Sequence, residues 1–305
     1  MSTLVVGTVA FDAIETPHGK TNKIVGGAAT YICLASSFFT KNINLVSVVG
    51  DDFPKSSITM LENKGVDTKG LQIKEGEKTF FWSGKYHEDM NTRDTIDTQL
   101  NVLENFDPIV PEKFKESDFL MLGNLMPSVQ KRVLDQMKKR PKLVVLDTMN
   151  FWMDNFLEDL IEALKEVDVL TINDEEARQL SAEHSLVNAA KKILKMGPKY
   201  LIIKKGEHGA LLFGDTDKKE IFFTPALPLE NVLDPTGAGD SFAGGFIGYL
   251  DKTKDLSFEN MKKAVVYGSI LASFSVEKFG TENLENLTKE KIECREKDFI
   301  KLTSL

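Results

Sequence analysis

Short apolar runs punctuate the chain, each closing on a polar or glycine-containing stretch: Leu4–Thr8, Leu45–Val49, Phe119–Leu122, Leu143–Leu146, Val167–Ile172 and Tyr200–Lys204. Strands this continuously apolar suit a parallel sheet covered on both faces. Helix-period segments fall between them. Gly26-Gly27-Ala28-Ala29-Thr30-Tyr31 opens one that continues through Ile32, Leu34, Ala35 and Phe38. Others are predicted over Pro54–Asn63, Asp240–Leu250 and Phe258–Val276, with a charged surface helix after Leu287. Ala210–Phe213 and Ile221–Thr224 read as a hairpin. The alternation predicts an α/β fold, a doubly wound, mostly parallel sheet flanked by helices. Such sheets bind ligands outside the C-terminal ends of their strands. Polar residues gather there: Asp12, Asn124, Asp147, Asn173 and the run Lys204-Lys205-Gly206-Glu207-His208-Gly209.

Between Gly70 and Asn105 the helix period gives way to alternation. Phe80, Trp82 and Tyr86 fall on one face of an extended segment, and Thr79, Ser83 and Lys85 share the other with Phe81. An aromatic face suits strands that close over a pocket, and equally strands that pack on their own core or on a second subunit. The polar run His87–Thr95 follows, and Arg93 within it is placed to meet a phosphate or a substrate hydroxyl if these strands close. No repeat, low-complexity linker or Pro/Gly/Ser-rich hinge divides the chain, so residues 1–305 read as one domain.

At 305 residues and 42% apolar composition the chain can bury a large core. A net charge of −8 argues against a nucleic-acid polymer or an anionic membrane surface as partner. Small phosphates remain compatible, because local amides and lysines override the total. Cys33 and Cys294 lie far apart, and Cys33 sits in an apolar helix pattern without a ligand-type neighbour, which reads as a reduced cytoplasmic protein without catalytic cysteine. No apolar stretch approaches membrane-spanning length.

The stretch richest in chemistry is Leu233-Asp234-Pro235-Thr236-Gly237-Ala238-Gly239-Asp240-Ser241-Phe242-Ala243-Gly244-Gly245. Pro235 ends any strand, and Gly237 and Gly239 permit a tight turn into the following helix. The helix start is an anion hole of unsatisfied N–H groups at the positive end of the dipole. A fixed carboxylate there would repel a resting phosphate, but Asp240 fits as a base that takes a proton from a hydroxyl attacking a phosphoryl group. On the residues alone, a glycine-rich turn capping a core helix is the alternative. The Walker A pattern is absent, and the dinucleotide fingerprint needs a glycine where Phe242 stands.

Asp234-Pro-Thr-Gly-Ala-Gly-Asp-Ser-Phe-Ala-Gly-Gly closely resembles the C-terminal signature of the ribokinase-like (PfkB) family of carbohydrate and nucleoside kinases. The Gly26-Gly27 element and the intervening motifs extend the resemblance over nearly the whole chain. It implies a ribokinase-like fold with a small β lid, from segments of about 12–25 and 71–105, and ATP-dependent phosphorylation of a hydroxymethyl group. Asp240 would be the base, with the amides of Gly237, Ala238 and Gly239 around the phosphoryl group. Asp12 with Gly26, Gly27 and Ala28 would hold the acceptor. Asn173, Lys204, Gly206, Gly209 and Gly239 would line the nucleotide site, and Glu176, in the family's Asn-x-x-Glu motif, would hold hydrated Mg2+. Read without the resemblance, Asp12 is a turn residue, Asn173 and Glu176 cap a helix, and Lys204–Gly209 is a β-turn. Asp147 and Asn150 resemble a further element near the phosphates, though Trp152 replaces an Arg often found there. Small residues Gly268, Ser269, Ala272 and Ser273 would let an adenine lie against the last long helix.

Tyr31 stands where the family commonly has an Asn contacting the sugar. That departure and the aromatic strand lean the reading towards a ribonucleoside such as adenosine. A free ribose, fructose or other hexose is the alternative acceptor. A nucleotide-sensing module without turnover and a Rossmann oxidoreductase are the rivals outside kinase activity. ATP and Mg2+ are the expected cofactors, with a monovalent cation compatible, in a monomer or a homodimer.

Overall fold

The computed structural model describes residues 2–215 and 218–304. Its strands are, in chain order, β1 (Thr3–Val6), β2 (Ala10–Thr16), β3 (Gly19–Lys20), β4 (Ile24–Gly26), β5 (Ile43–Gly50), β6 (Val66–Lys74), β7 (Phe81–Tyr86), β8 (Arg93–Gln99), β9 (Phe119–Leu122), β10 (Leu143–Asp147), β11 (Val169–Asn173), β12 (Tyr200–Lys204), β13 (Ala210–Phe213) and β14 (Ile221–Thr224). The helices are α1 (Ala28–Ser36), α2 (Lys55–Asn63), α3 (Pro127–Asp135), α4 (Asn150–Asn155), α5 (Leu157–Leu164), α6 (Asp174–Ser181), α7 (Leu186–Leu194), α8 (Ala238–Thr253), α9 (Phe258–Ser275), α10 (Glu282–Asn286) and α11 (Lys289–Thr303).

A nine-stranded sheet has the order β14-β13-β12-β11-β10-β9-β1-β5-β6. It is parallel from β12 through β6, and β13 and β14 add an antiparallel edge. The chain winds from β1 to β6 one way and from β9 to β14 the other. The order therefore reverses between β1 and β9, the kind of crevice where α/β sheets bind ligands. Alternate residues of each strand feed two cores. Val5, Val145 and Ile202 point to the side of α1, α8 and α9, and Leu4, Val6, Val144, Leu146, Leu201 and Ile203 to the other.

A second sheet, β3-β2-β7-β8 with β4 on β2, stands beside the first. Two expectations shift here. The first strand stops at Val6, and Asp12 lies inside β2 of the small sheet instead of at the end of a central strand. Residues 66–74 form β6, an edge of the large sheet, so the alternation read from Gly70 begins outside the small one. Of the aromatic register, Trp82 and Tyr86 share a face of β7 and Phe81 packs on the core from the opposite face, whereas Phe80 lies ahead of the strand.

Helix α8 runs between α1 and α9 with glycines at its closest contacts. A Cβ built on Gly244 would sit 2.5 Å from Ile32 O, and one on Gly248 2.9 Å from Ser36 Cα. On the α9 side, a Cβ on Gly268 would meet Phe242 O at 2.9 Å. Gly268 therefore serves helix packing, a role its size did not single out. Ser273 is also engaged, accepting from Arg295 at 3.1 Å. Gly268→Val should cost about 1–3 kcal/mol through overpacking, read as a lower urea midpoint. An unchanged midpoint would show spare room between α8 and α9.

Candidate active site

The signature loop is anchored before it reaches the crevice. Asp234 is fully buried, and its carboxylate accepts from the amides of Thr236 (2.8 Å) and Gly280 (2.9 Å), tying the loop to the segment beyond α9. Gly237, with φ of 75°, is the N-cap of α8. Its bare Cα lies on the ring of Tyr31, where a built Cβ would come within 2.4–2.5 Å of the ring carbons. Only glycine fits both constraints. The Ala238 amide donates to Pro235 O at 3.2 Å, whereas those of Gly239 and Asp240 have no acceptor among the described residues. These free amides open at the start of a sixteen-residue helix, a geometry that suits an anion, while the Ala238 amide expected among them is taken by Pro235.

Asp240 sits in the first turn of α8, densely surrounded by protein yet still partly open to solvent. Burial pushes its carboxyl up to about 7, helped by the charge of Asp147 and opposed by Lys204 and Arg93. Lys204, at the end of β12, pairs with Asp147 at the end of β10 (Nζ to Oδ2 3.1 Å). Burial alone would lower the Lys204 ammonium, but Asp147, Glu176 and Asp240 hold it above its ordinary value. A Cβ on Gly239 would stand 3.1 Å from Lys204 Nζ, so the cation lies at the mouth of the amide cradle.

Asn173 and Glu176 form a reciprocal cap on α6. Glu176 N donates to Asn173 Oδ1 (2.8 Å), and Asn173 N to Glu176 Oε2 (2.7 Å). Burial raises the Glu176 carboxyl to about 7, against the pull of Lys204. Glu176 thus belongs to the same electrostatic group as Asp147, Lys204 and Asp240, with Arg93 of β8 acting on both Glu176 and Asp240.

Asp12 faces the crevice from β2. It is buried, and burial with the nearby charge of Asp234 raises its carboxyl to about 7, against a hydrogen bond from the Gly27 amide. Its carboxylate lies against Gly26, where a Cβ would fall 1.9 Å from Oδ2. The Ala28 amide, expected at the acceptor, instead donates to Thr8 Oγ1 at 2.9 Å, so Ala28 braces the loop. Beside Asp12 in register stands Trp82. Its indole lies over Gly84, where a Cβ would collide with it at 2.1 Å, and Trp82 Nε1 donates to Thr95 Oγ1 at 3.3 Å. Tyr86, further along that face, meets Thr236 of the signature loop, Thr236 Oγ1 donating to its hydroxyl at 3.1 Å.

The two expected nucleotide-loop glycines serve contacts within the protein. A Cβ on Gly206 would approach Asn91 Oδ1 of the β7–β8 turn to 2.7 Å, and one on Gly209 would strike Thr224 O at 2.0 Å. The small sheet therefore touches the loop after β12 as well as the signature. Near Thr224, a cavity of about 530 Å³ lies between β14, α9 and α11, lined by Phe223, Pro225, Val266 and Leu302 among others. None of the carboxylates above borders it.

Residues 2–288 match the pfkB family of carbohydrate kinases. The chain belongs to this family. Among curated proteins this pfkB kinase is 30% identical to a cytidine kinase of Thermococcus kodakarensis over 259 residues, 83% of this chain and 90% of that protein. A nucleoside kinase of Methanothermobacter thermautotrophicus is 27% identical over 308 residues, 92% of this chain and 90% of that one. The solved nucleoside kinase of Methanocaldococcus jannaschii superposes with a TM-score of 0.76 at 22% identity, covering 98% of this chain and 99% of that one. The chain is thus an ATP-dependent sugar or nucleoside kinase.

Tyr31 stood out in the chain only as a departure from the family's pattern. It is buried to 1% exposure, yet its hydroxyl has no hydrogen-bond partner. The Asp12 carboxyl provides a test of the electrostatics. Its folded value of about 7 exceeds the ordinary 3.8, so between those values the native state binds the proton that the unfolded state has lost. Stability must then fall as pH rises through that window, by up to about 1.4 kcal/mol per unit. Asp12→Asn removes this term, and its unfolding free energy relative to wild type should improve steadily from pH 4 to pH 7. A pH-independent difference would show that Asp12 ionises normally.

Proposed function

We propose that this kinase transfers the γ-phosphoryl group of ATP to the hydroxymethyl group of a ribonucleoside. The observation that carries the chemistry is a carboxyl raised to about 7, Asp240, beside free helix-N-terminal amides and the Lys204 cation. A base tuned near operating pH accepts the hydroxyl proton without being so acidic that it cannot hold it. The amides of Gly239 and Asp240 and the Lys204 ammonium offset the charge that gathers on the transferring phosphoryl oxygens. Asp12 holds acceptor hydroxyls on the other side of Asp240.

Among the described residues no group of three or more His, Cys, Asp or Glu is placed to hold a metal ion. Glu176 and Asp147, two carboxylates that act electrostatically on each other and on Lys204, are the residues that would hold Mg2+ there. When bound, Mg2+ would neutralise charge on the β- and γ-phosphates. A Ribokinase II of E. coli solved with ATP and Mg2+ superposes with a TM-score of 0.80 at 19% identity over 97% of this chain and 99% of that one, in keeping with this assignment.

The small sheet would act as the lid. It meets the signature through Tyr86 and the loop after β12 through Asn91, so one body covers both substrates. Trp82, in register with Asp12, offers a flat face to a base attached to the sugar held there. The cytidine and nucleoside kinases among the relatives support a nucleoside, pyrimidine or purine, over a free sugar.

Asp240→Asn should keep ATP binding and lower kcat by roughly two to four orders of magnitude, the usual scale for loss of a general base. In wild type, kcat/KM should fall about tenfold per unit as pH drops below about 7, where Asp240 takes up its proton. Near-wild-type turnover of the variant would remove Asp240 from the mechanism.

The acceptor is decided by ADP release with cytidine, adenosine, inosine, ribose and fructose, for wild type and Trp82→Ala. Stacking a base on an aromatic ring is worth about 1–3 kcal/mol, so the variant should lose roughly ten- to a hundredfold in kcat/KM on nucleosides and little on ribose. A free sugar as the best wild-type acceptor would end the nucleoside reading.

A further inference from the structure

Gln130 of α3 is fully buried at the C-terminal ends of β9 and β10. The ladder between those strands stops at Leu122 and Leu146, so the carbonyls of the next residues, Gly123 and Asp147, run past it. Buried carbonyls left without a donor destabilise a fold. The Gln130 amide serves both: Nε2 donates to Gly123 O at 2.9 Å and to Asp147 O at 3.0 Å, with Leu122 O at 3.5 Å. An amide nitrogen carries two hydrogens, one for each of the nearer carbonyls. Its Oε1 has no hydrogen-bond partner, so what this side chain contributes is its donors. Gly123 is itself tied to β1, its amide donating to Val6 O at 2.7 Å. The clasp therefore joins three strand ends at the point where the sheet order reverses.

We propose that Gln130 is a positioning residue for phosphoryl transfer: by joining Asp147 O to Gly123 O, its amide fixes where the Asp147 carboxylate stands against Lys204. This rests on the kinase reading above, in which Asp147 and Lys204 serve the phosphate end of the crevice. Asp147 closes β10, and its carboxylate also accepts from the amide of Thr148 at 3.0 Å. On the β11 side Asp147 is held in register with Thr171; on the β9 side the Gln130 amide takes over where the ladder ends. Without that amide the strand end is free to pivot about β11, and Asp147 Oδ2, 3.1 Å from Lys204 Nζ, swings with it. Placement on the scale of an ångström governs the rate of transfer between held reactants. Gln130 is sealed from the crevice, so it acts through Asp147 and touches no reacting atom.

The test is Gln130→Met, which keeps the volume and removes the donors, made in the wild-type and Asp147→Asn backgrounds. A similar clasp at the far end of the same helix is the control: Gln136 Nε2 donates to Pro108 O at 2.8 Å, and Gln136→Met removes it. kcat and the KM values for ATP and for the acceptor that gives the fastest ADP release are measured, together with melting temperature and amide hydrogen exchange. Gln130→Met should lower kcat/KM for ATP by roughly tenfold or more, leave the acceptor KM unchanged and quicken exchange at Thr148. In the Asp147→Asn background the same change should cost little further, because the carboxylate it places is gone. Gln136→Met should lower the melting temperature while both KM values and the exchange at Thr148 stay as they were. A loss that adds in full to that of Asp147→Asn would overturn the proposal, as would an equal rise in both KM values, since either marks a clasp that is merely structural. If Asp147→Asn alone leaves ATP use unchanged, the reading of the phosphate end fails separately, and exchange at Thr148 still decides whether Gln130 holds Asp147. Should Gln130→Met not fold, Gln130→Asn, which withdraws the amide by one methylene, carries the same comparison.

Discussion

The structure depends on the contact of α8 with α1 and α9 at backbone distance. Gly244 and Gly248 face Ile32 and Ser36 on one side, and Gly245 meets Gly268 on the other. Ser36 Oγ adds a hydrogen bond to Gly244 O at 2.9 Å. Packing this close leaves the helix little freedom to slide or roll, since a shift drives backbone into backbone. The N-terminus of α8 is thereby fixed in the crevice, with Gly237 on Tyr31 and Gly239 beside Lys204. The signature combines two tasks in one segment: its first glycines shape the site, and its later ones hold the helix that presents it.

Around this fixed point the protein gathers Asp12, Asp147, Glu176 and Asp240 against the cations Lys204 and Arg93. Such a group is costly in a low-dielectric interior unless it is paired or neutralised. The two ends of the crevice solve this differently. Asp147 is paired with Lys204, whereas Asp12 and Asp240 are raised towards neutrality by burial. That difference suits the proposed division of the crevice, with the Lys204 cation on the side that phosphates would favour and the near-neutral Asp12 on the side that would favour an alcohol.

Much of this was legible in the chain. Buried parallel strands show as near-continuous apolar runs, so β5, β9, β10, β11 and β12 were found within a few residues. The signature drew attention to Asp240 through its resemblance to the PfkB family, since on the residues alone the same stretch also reads as a glycine-rich turn capping a core helix. What stayed hidden depended on distance through space. Nothing in Gly268 distinguishes a helix contact from an adenine shelf, and nothing in Gly209 foretells Thr224 across the hairpin. Asp12 looked like the end of a central strand because β1 is short and the chain crosses to the second sheet within a few residues. The Ala28 amide appeared available only because Thr8, its partner, has no pattern that marks it.

The raised carboxyls make the resting crevice a proton sponge. Asp12, Glu176 and Asp240 all titrate near 7, so each is partly protonated and partly not at neutral pH. A polyanion entering beside them makes ionisation dearer still, and the groups respond by taking protons from solution. Binding of an anion there would thereby be coupled to proton uptake. Its heat would include the ionisation heat of the buffer, and its affinity would follow the acidity of the medium.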